Sequence, residues 1–296
     1  RLDTNIQIKI SIIKEYFQMS SFLILGKLGK GMVQRIEPTI ISIMINPTIT
    51  ASYAVTKRAV EVIKQILVIT LNSNFTSFSH LIGEGKYKRA GNIIFYIFNI
   101  LLFFGILLFS SYIILNKSFI KLWVDESNYI SLSLTILLDI AIWSLTSQTY
   151  VYNLILAFGK FKKSSIIILL ESIFRVCLMF LLTHYFKING VPMAILVTTF
   201  ISFLILFAQL RTILKDKNIS LPTISMKKIL HLFIISGITI FLHFNVSEII
   251  NSWLDFIISG VTLITVFSVL IILFNNDIKN IFLNFLSKLY NKNKTL

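Results

Sequence analysis

The chain has 296 residues, 55% of them hydrophobic and only 14% charged, with a mean hydropathy of +0.82. That much apolar surface excludes an ordinary water-soluble domain. Lysine and arginine number 28 against 13 aspartates and glutamates, a surplus that in a soluble protein would suggest nucleic acid, but the positions of these charges point to a membrane instead.

Crossing ~30 Å of hydrocarbon at 1.5 Å per residue takes ~20 apolar residues in a helix. The sequence is therefore expected to form an all-α, polytopic transmembrane bundle with eight spans. In chain order these are 16–45, 48–72, 90–116, 140–159, 164–186, 188–210, 229–247 and 256–276. Five of them are uncharged runs; the first, second and fifth carry charges and are needed for the loops to alternate sides. Short alternating strands, which a transmembrane barrel would require, are not the pattern here. The first residue is Arg1 and no signal peptide follows, so the chain is expected to be the C-terminal portion of a longer protein. Cys177 has no partner for a disulfide or a cysteine metal cluster.

Turn residues mark the boundaries: Gly83-Glu84-Gly85, Gly159-Lys160, Asn189-Gly190 with Pro192, and Leu221-Pro222. Pro38 lies inside the first span, which is expected to bend or end there. Trp123 and Trp253 occupy positions that suit an outer membrane interface.

Short cytoplasmic loops retain basic residues and translocated ones lose them. Lys86, Lys88 and Arg89, then Lys160, Lys162 and Lys163, then Arg211, Lys215, Lys217, Lys227 and Lys228 fall in alternate loops, and both chain ends are basic. The opposite loops hold only Lys117, Lys121 and Lys187. Eight spans with both ends in the cytoplasm give this alternation.

The informative charges lie within the spans. Spans one and two carry Lys27, Lys30, Arg35, Lys57, Arg58 and Lys64 against Glu37 and Glu61. Each such charge costs about 2.5–3.5 kcal/mol at a helix centre on insertion scales, so these groups are expected to face water or opposite charge. Lys27, Lys30, Gln34 and Glu37 share one helical face, and Lys57, Glu61, Lys64 and Asn72 share another. The two stripes predict a cationic cleft with an anionic ligand, phosphate being the natural partner of lysine and arginine. The competing reading has the lysines reaching the headgroups and Lys57-Glu61-Lys64 forming a self-neutralising ladder. Glu37, Glu61 and Asp139 are candidates for binding a coupling proton or cation. Glu171 and Arg175, spaced i, i+4, read first as a structural ion pair.

Gly26-Lys27-Leu28-Gly29-Lys30-Gly31 fails as a phosphate loop, because Met32 stands where Lys-Ser/Thr is required and no strand precedes it; close helix packing explains the glycines better. The four histidines lack ligand spacing. No metal, cofactor, nucleic acid or covalent catalysis is expected.

Phe78-Ser79-His80-Leu81 followed by Gly83-Glu84-Gly85-Lys86 resembles the cytoplasmic loop signature of polysaccharide-type (Wzx-type, O-antigen) flippases of the multidrug/oligosaccharidyl-lipid/polysaccharide exporter superfamily. Phe119-Ile120-Lys121-Leu122-Trp123-Val124 is similar to that family's outer segment. Asn153-Leu154-Ile155-Leu156 leading to Gly159-Lys160, and Ile188-Asn189-Gly190-Val191-Pro192-Met193-Ala194, resemble two later family stretches. The resemblance implies that residues 1–211 are the second six-helix bundle of a MATE-like fold, and that 212–296 are two additional helices with a basic cytoplasmic tail. It also implies transport of undecaprenyl-pyrophosphate-linked sugar repeats across the bacterial inner membrane by alternating access, with membrane lipids and a polysaccharide polymerase complex as neighbours and a proton or sodium ion as driver. The basic stripes would then contact pyrophosphate or acidic sugars. A cation antiporter of the related multidrug branch, and a non-transporting scaffold for glycan assembly, are the alternatives; the excess of positive charge in spans one and two disfavours the antiporter.

Overall fold

A computed structural model describes residues 10–219, 226–246 and 249–274. Within them the chain forms eight α-helices and no strand: α1 (Ile10–Met44), α2 (Pro47–Gly83), α3 (Tyr87–Trp123), α4 (Leu132–Ala157), α5 (Phe161–Phe186), α6 (Gly190–Asp216), α7 (Met226–Val246) and α8 (Trp253–Phe274). Four helical stretches are long and apolar enough to cross a membrane: Tyr87–Trp123, Leu132–Ala157, Phe161–Asp216 and Trp253–Leu270. The third contains both α5 and α6, joined by a 3₁₀ turn at Lys187–Asn189. These apolar helices are compatible with a multi-pass membrane protein. Eight separate crossings are not matched by length and apolarity alone, because α1 and α2 carry charges through their middles, and within α7 the described apolar stretch is Gly237–Val246.

Helix ends follow local chemistry. Asn46 caps α2 by accepting from the Ile49 amide at 2.7 Å, with Pro47 at the first helical position, where its missing N–H costs nothing. Ser131 caps α4 through the Leu134 amide. This cap starts α4 eight residues before the expected boundary and puts Asp139 two turns inside the helix. Gly85 and Gly159, both at φ 72°, supply the left-handed residue of the turns after α2 and α4. Pro38 neither ends nor divides α1, which continues as one helix to Met44. Outside the helices, the Lys86 ammonium beside Glu84 holds that carboxyl below the usual carboxylate range, and hydrogen bonds from Ser127 do the same for Asp125.

α1 packs chiefly along α5, α2 along α3 and α4, and α4 along α6, while α7 and α8 pack against α3. His243 of α7 meets the Ile113 carbonyl at 2.9 Å, and Phe267 of α8 is fully buried beside Ile114. The turns after α2 and α4 and the end of α6 share one end of the bundle: Phe78 lies edge-on to Phe158 at 5.7 Å, and the Lys217 ammonium covers the Tyr87 ring at 5.0 Å. Trp123 and Trp253 meet at the other end, both against Phe119. The basic tail expected after residue 274, and Lys227, Lys228, Leu221 and Pro222, lie outside what is described of backbone or side chain.

Close approach of α1 to α5 is tightest at Gly29, while Gly26 leaves room for an ordinary Cβ contact. A Cβ on Gly26 would meet the Ser165 side chain at 3.5 Å, and one on Gly29 would lie 3.1 Å from the Ser172 hydroxyl. Gly31, by contrast, faces open space. Gly29→Val is therefore expected to separate α1 from α5 and cost about 1–3 kcal/mol, whereas Gly31→Ala is neutral. The melting temperature of the purified protein in detergent tests this, and equal values for the two variants would refute it.

Candidate functional site

α1 and α2 run antiparallel from the turn at 45–46, so residues equally distant from the turn face each other. The first charged level lies two to three turns from it. Glu37, only 2% exposed, accepts from the Lys57 ammonium at 2.8 Å and from the Tyr53 hydroxyl at 2.5 Å. Lys57 also reaches Glu61 at 3.3 Å. Thus the α2 lysine is shared between carboxylates on both helices, a cross-link of one ammonium with two carboxylates, of which Glu37 is buried.

A second level lies seven residues further along each helix, about 10 Å by the helical rise. Here Lys30 of α1 and Lys64 of α2 come into mutual electrostatic range. Lys64 is near the midpoint of the 37-residue α2. Neither ammonium has a carboxylate within ion-pairing distance among the described residues. Lys30 lies over the Tyr152 ring at 5.1 Å, a cation–π contact contributed by α4. The Tyr152 hydroxyl is in turn placed by Ser165 of α5 at 3.1 Å. Both lysines are half-buried at the inner edge of their helices, where the low dielectric strengthens whatever charge they meet.

The remaining expected residues separate from this cluster. Lys27, Arg35 and Arg58 are exposed on the bundle's outer surface, Lys27 beside the exposed Ile24 and Leu28, and Arg58 one turn from the exposed Val62. Helical geometry accounts for this: Arg35 and Arg58 lie ~100° or more off the stripes that hold Lys30 and Lys64. Glu61 is partly exposed and paired with Lys57. Asp139 is remote from the lysines; it is 5% exposed, its Oδ1 lacks a hydrogen-bond partner, and it lines a cavity of about 160 Å³ between α3, α4 and α7 together with Ser110 and Thr239.

Two uncharged groups, Tyr53 and Tyr152, join the charged levels. Tyr53 stands one turn before Lys57 on the same face, a signal visible in the spacing. Tyr152 had none, because it comes from α4. Glu171 and Arg175 do form the expected ion pair, and Arg175 also reaches the Thr198 and Thr199 hydroxyls of α6 at 3.2 and 3.1 Å.

Compared with known proteins, the chain matches no family model, no curated protein and no solved structure.

The two levels differ in what they can do. A lysine bonded to Glu37 and Glu61 is committed, and loss of Glu37 leaves it and the Tyr53 hydroxyl without their buried acceptor. Glu37→Leu is expected to destabilise the protein by about 3 kcal/mol, in the range for breaking a buried pair, while Arg58→Gln leaves stability unchanged. Thermal unfolding in detergent separates the two; a stable Glu37→Leu variant would remove the cross-link from the account.

Proposed function

We propose that this chain is the second six-helix bundle, with two accessory helices, of a flippase that carries oligosaccharides linked to undecaprenyl pyrophosphate across the bacterial inner membrane by alternating access. On this reading all eight helices cross the bilayer and both chain ends are cytoplasmic. The shared position of the turns after α2 and α4 and the end of α6 supports that orientation, since Lys86, Lys88, Arg89, Lys160 and Lys217 lie there.

One observation carries the functional reading: Lys30 and Lys64 lie level with each other in the middle of two long helices, without carboxylate partners among the described residues. Two ammonium groups this deep in an apolar bundle require water or an anion. A phosphate-bearing headgroup supplies both charge and acceptor oxygens, and the sugar it carries would remain in the aqueous part of the path. Binding and release are the whole of the chemistry; no bond is made or broken.

Glu37 and Glu61 are engaged by Lys57, so of the three candidate carboxylates Asp139, unpartnered at Oδ1, is left to take a coupling proton or sodium ion. The exposed basic residues Lys27, Arg35 and Arg58 would complete the lumen only against the first bundle. A polysaccharide polymerase complex would receive the delivered repeat units.

Replacing Lys30 and Lys64 together with glutamine in the intact gene is expected to reduce surface polysaccharide by about tenfold or more, as for loss of two contacts worth over 1.4 kcal/mol in all, with normal membrane levels of protein. Unchanged polysaccharide would sink the reading, and dye efflux lost in its place would favour the cation antiporter.

A further inference from the structure

Glu171 and Arg175 are each 6% exposed and lie one turn apart on the side of α5 between α1 and α6. Ser172 touches Gly29, the residue before Lys30, and Arg175 reaches Thr198 and Thr199 of α6. A structural arginine–carboxylate pair ordinarily uses both carboxylate oxygens in a fork. This one does not. Arg175 donates to Oε1, while Oε2 is buried without any hydrogen-bond partner.

Lys30 stands within electrostatic range of Glu171, Lys64 and Arg175, while Lys64 is within range of Arg175 and of the carboxylates Glu61 and Glu37. Two cations, Lys30 of α1 and Arg175 of α5, therefore share one buried carboxylate that has an acceptor to spare, with Lys64 of α2 close by.

We propose that Glu171 is the resident counter-anion of the headgroup site: it balances Lys30 and Arg175 when no ligand is bound, and an incoming phosphate competes with it for them. The proposal rests on the reading of Lys30 and Lys64 as an anion site and adds a determinant of affinity. Lys30 and Arg175 left unopposed beside Lys64 in a low-dielectric cleft would hold a pyrophosphate too firmly to release it. A carboxylate that takes back Lys30 lowers the affinity and gives the leaving anion a substitute, in keeping with the requirement that a transported ion bind weakly enough to depart. Arg175 retains Thr198 and Thr199 as partners throughout, so it need not be left bare while Glu171 changes neighbours.

Binding of inorganic pyrophosphate to the intact protein in phosphatidylcholine nanodiscs tests this. Glu171→Gln keeps the shape and an acceptor for Arg175 but removes the competing charge, and is expected to bind about tenfold more tightly. The double variant Glu171→Gln/Arg175→Gln loses one of the three cations and is expected to bind more weakly than Glu171→Gln alone. Unchanged or weaker binding by Glu171→Gln, with Lys30→Gln still abolishing binding, would make Glu171 a structural brace and leave the lysine site standing. Lys30→Gln and Lys64→Gln variants that bind as well as the parent would overturn the lysine site itself, and no binding by parent or Glu171→Gln would overturn both. Adding phosphatidic acid to the nanodiscs identifies the source of the anion: competition that is stronger in Glu171→Gln supports the proposal for a membrane-borne headgroup, and its absence beside tighter pyrophosphate binding supports it for a soluble phosphate.

Discussion

Charge held inside an apolar bundle must be balanced where it sits, and α1, α2 and α5 are arranged by that requirement. Lys57, Glu37 and Tyr53 satisfy it with one another, and so the first level behaves as a fastening. One level further on, Lys30 has the Tyr152 ring and the field of the Glu171–Arg175 pair, and Lys64 has the field of Glu61 and Glu37, neither ammonium being in a direct ion pair among the described residues. The difference between a closed network and an open one, ten ångströms apart on the same two helices, separates what stabilises the fold from what is available to a ligand.

The helices themselves were legible in the residues. Apolar run length located five of the eight and the alternation of basic loops supplied the three that carry charges, while turn glycines such as Gly85 and Gly159 marked two of the boundaries, because a residue without Cβ adopts their backbone cheaply. Capping was read less well: Ser131 sets the start of α4 from a polar stretch that hydropathy discards, which is why Asp139 is interior and not at the helix mouth. Pro38 does not end α1, since a proline in a long helix forfeits one hydrogen bond without necessarily terminating it.

The site was legible in part, for a similar reason. Helical period put Lys30 with Glu37 and Lys57 with Lys64, and those groupings depend on one helix at a time. It could not say which carboxylate would cross from α1 to α2 and engage Lys57, or that an α4 tyrosine would lie under Lys30. Arg35 and Arg58 look equivalent to the lysines in a list of buried-span charges, yet a rotation of ~100° puts them on the outside. Tertiary partners such as Tyr152, Thr198 and Thr199 carry no local signature.

Among the described residues, the ion pair that ties α1 to α2 lies near their connecting turn. Near their connecting turn the Glu37–Lys57 link and the buried Ile40 and Ile41 hold them together, while further out each leans on a different neighbour, α1 on α5 and α2 on α3 and α4. Two stiff rods joined this way form a pair of callipers: a tilt of a few degrees at the pinned end hardly disturbs the link, yet its displacement grows in proportion to distance along the rods. A change in that angle would therefore shift the ammonium groups of Lys30 and Lys64, seven residues further out on each helix, more than it shifts the Glu37–Lys57 link.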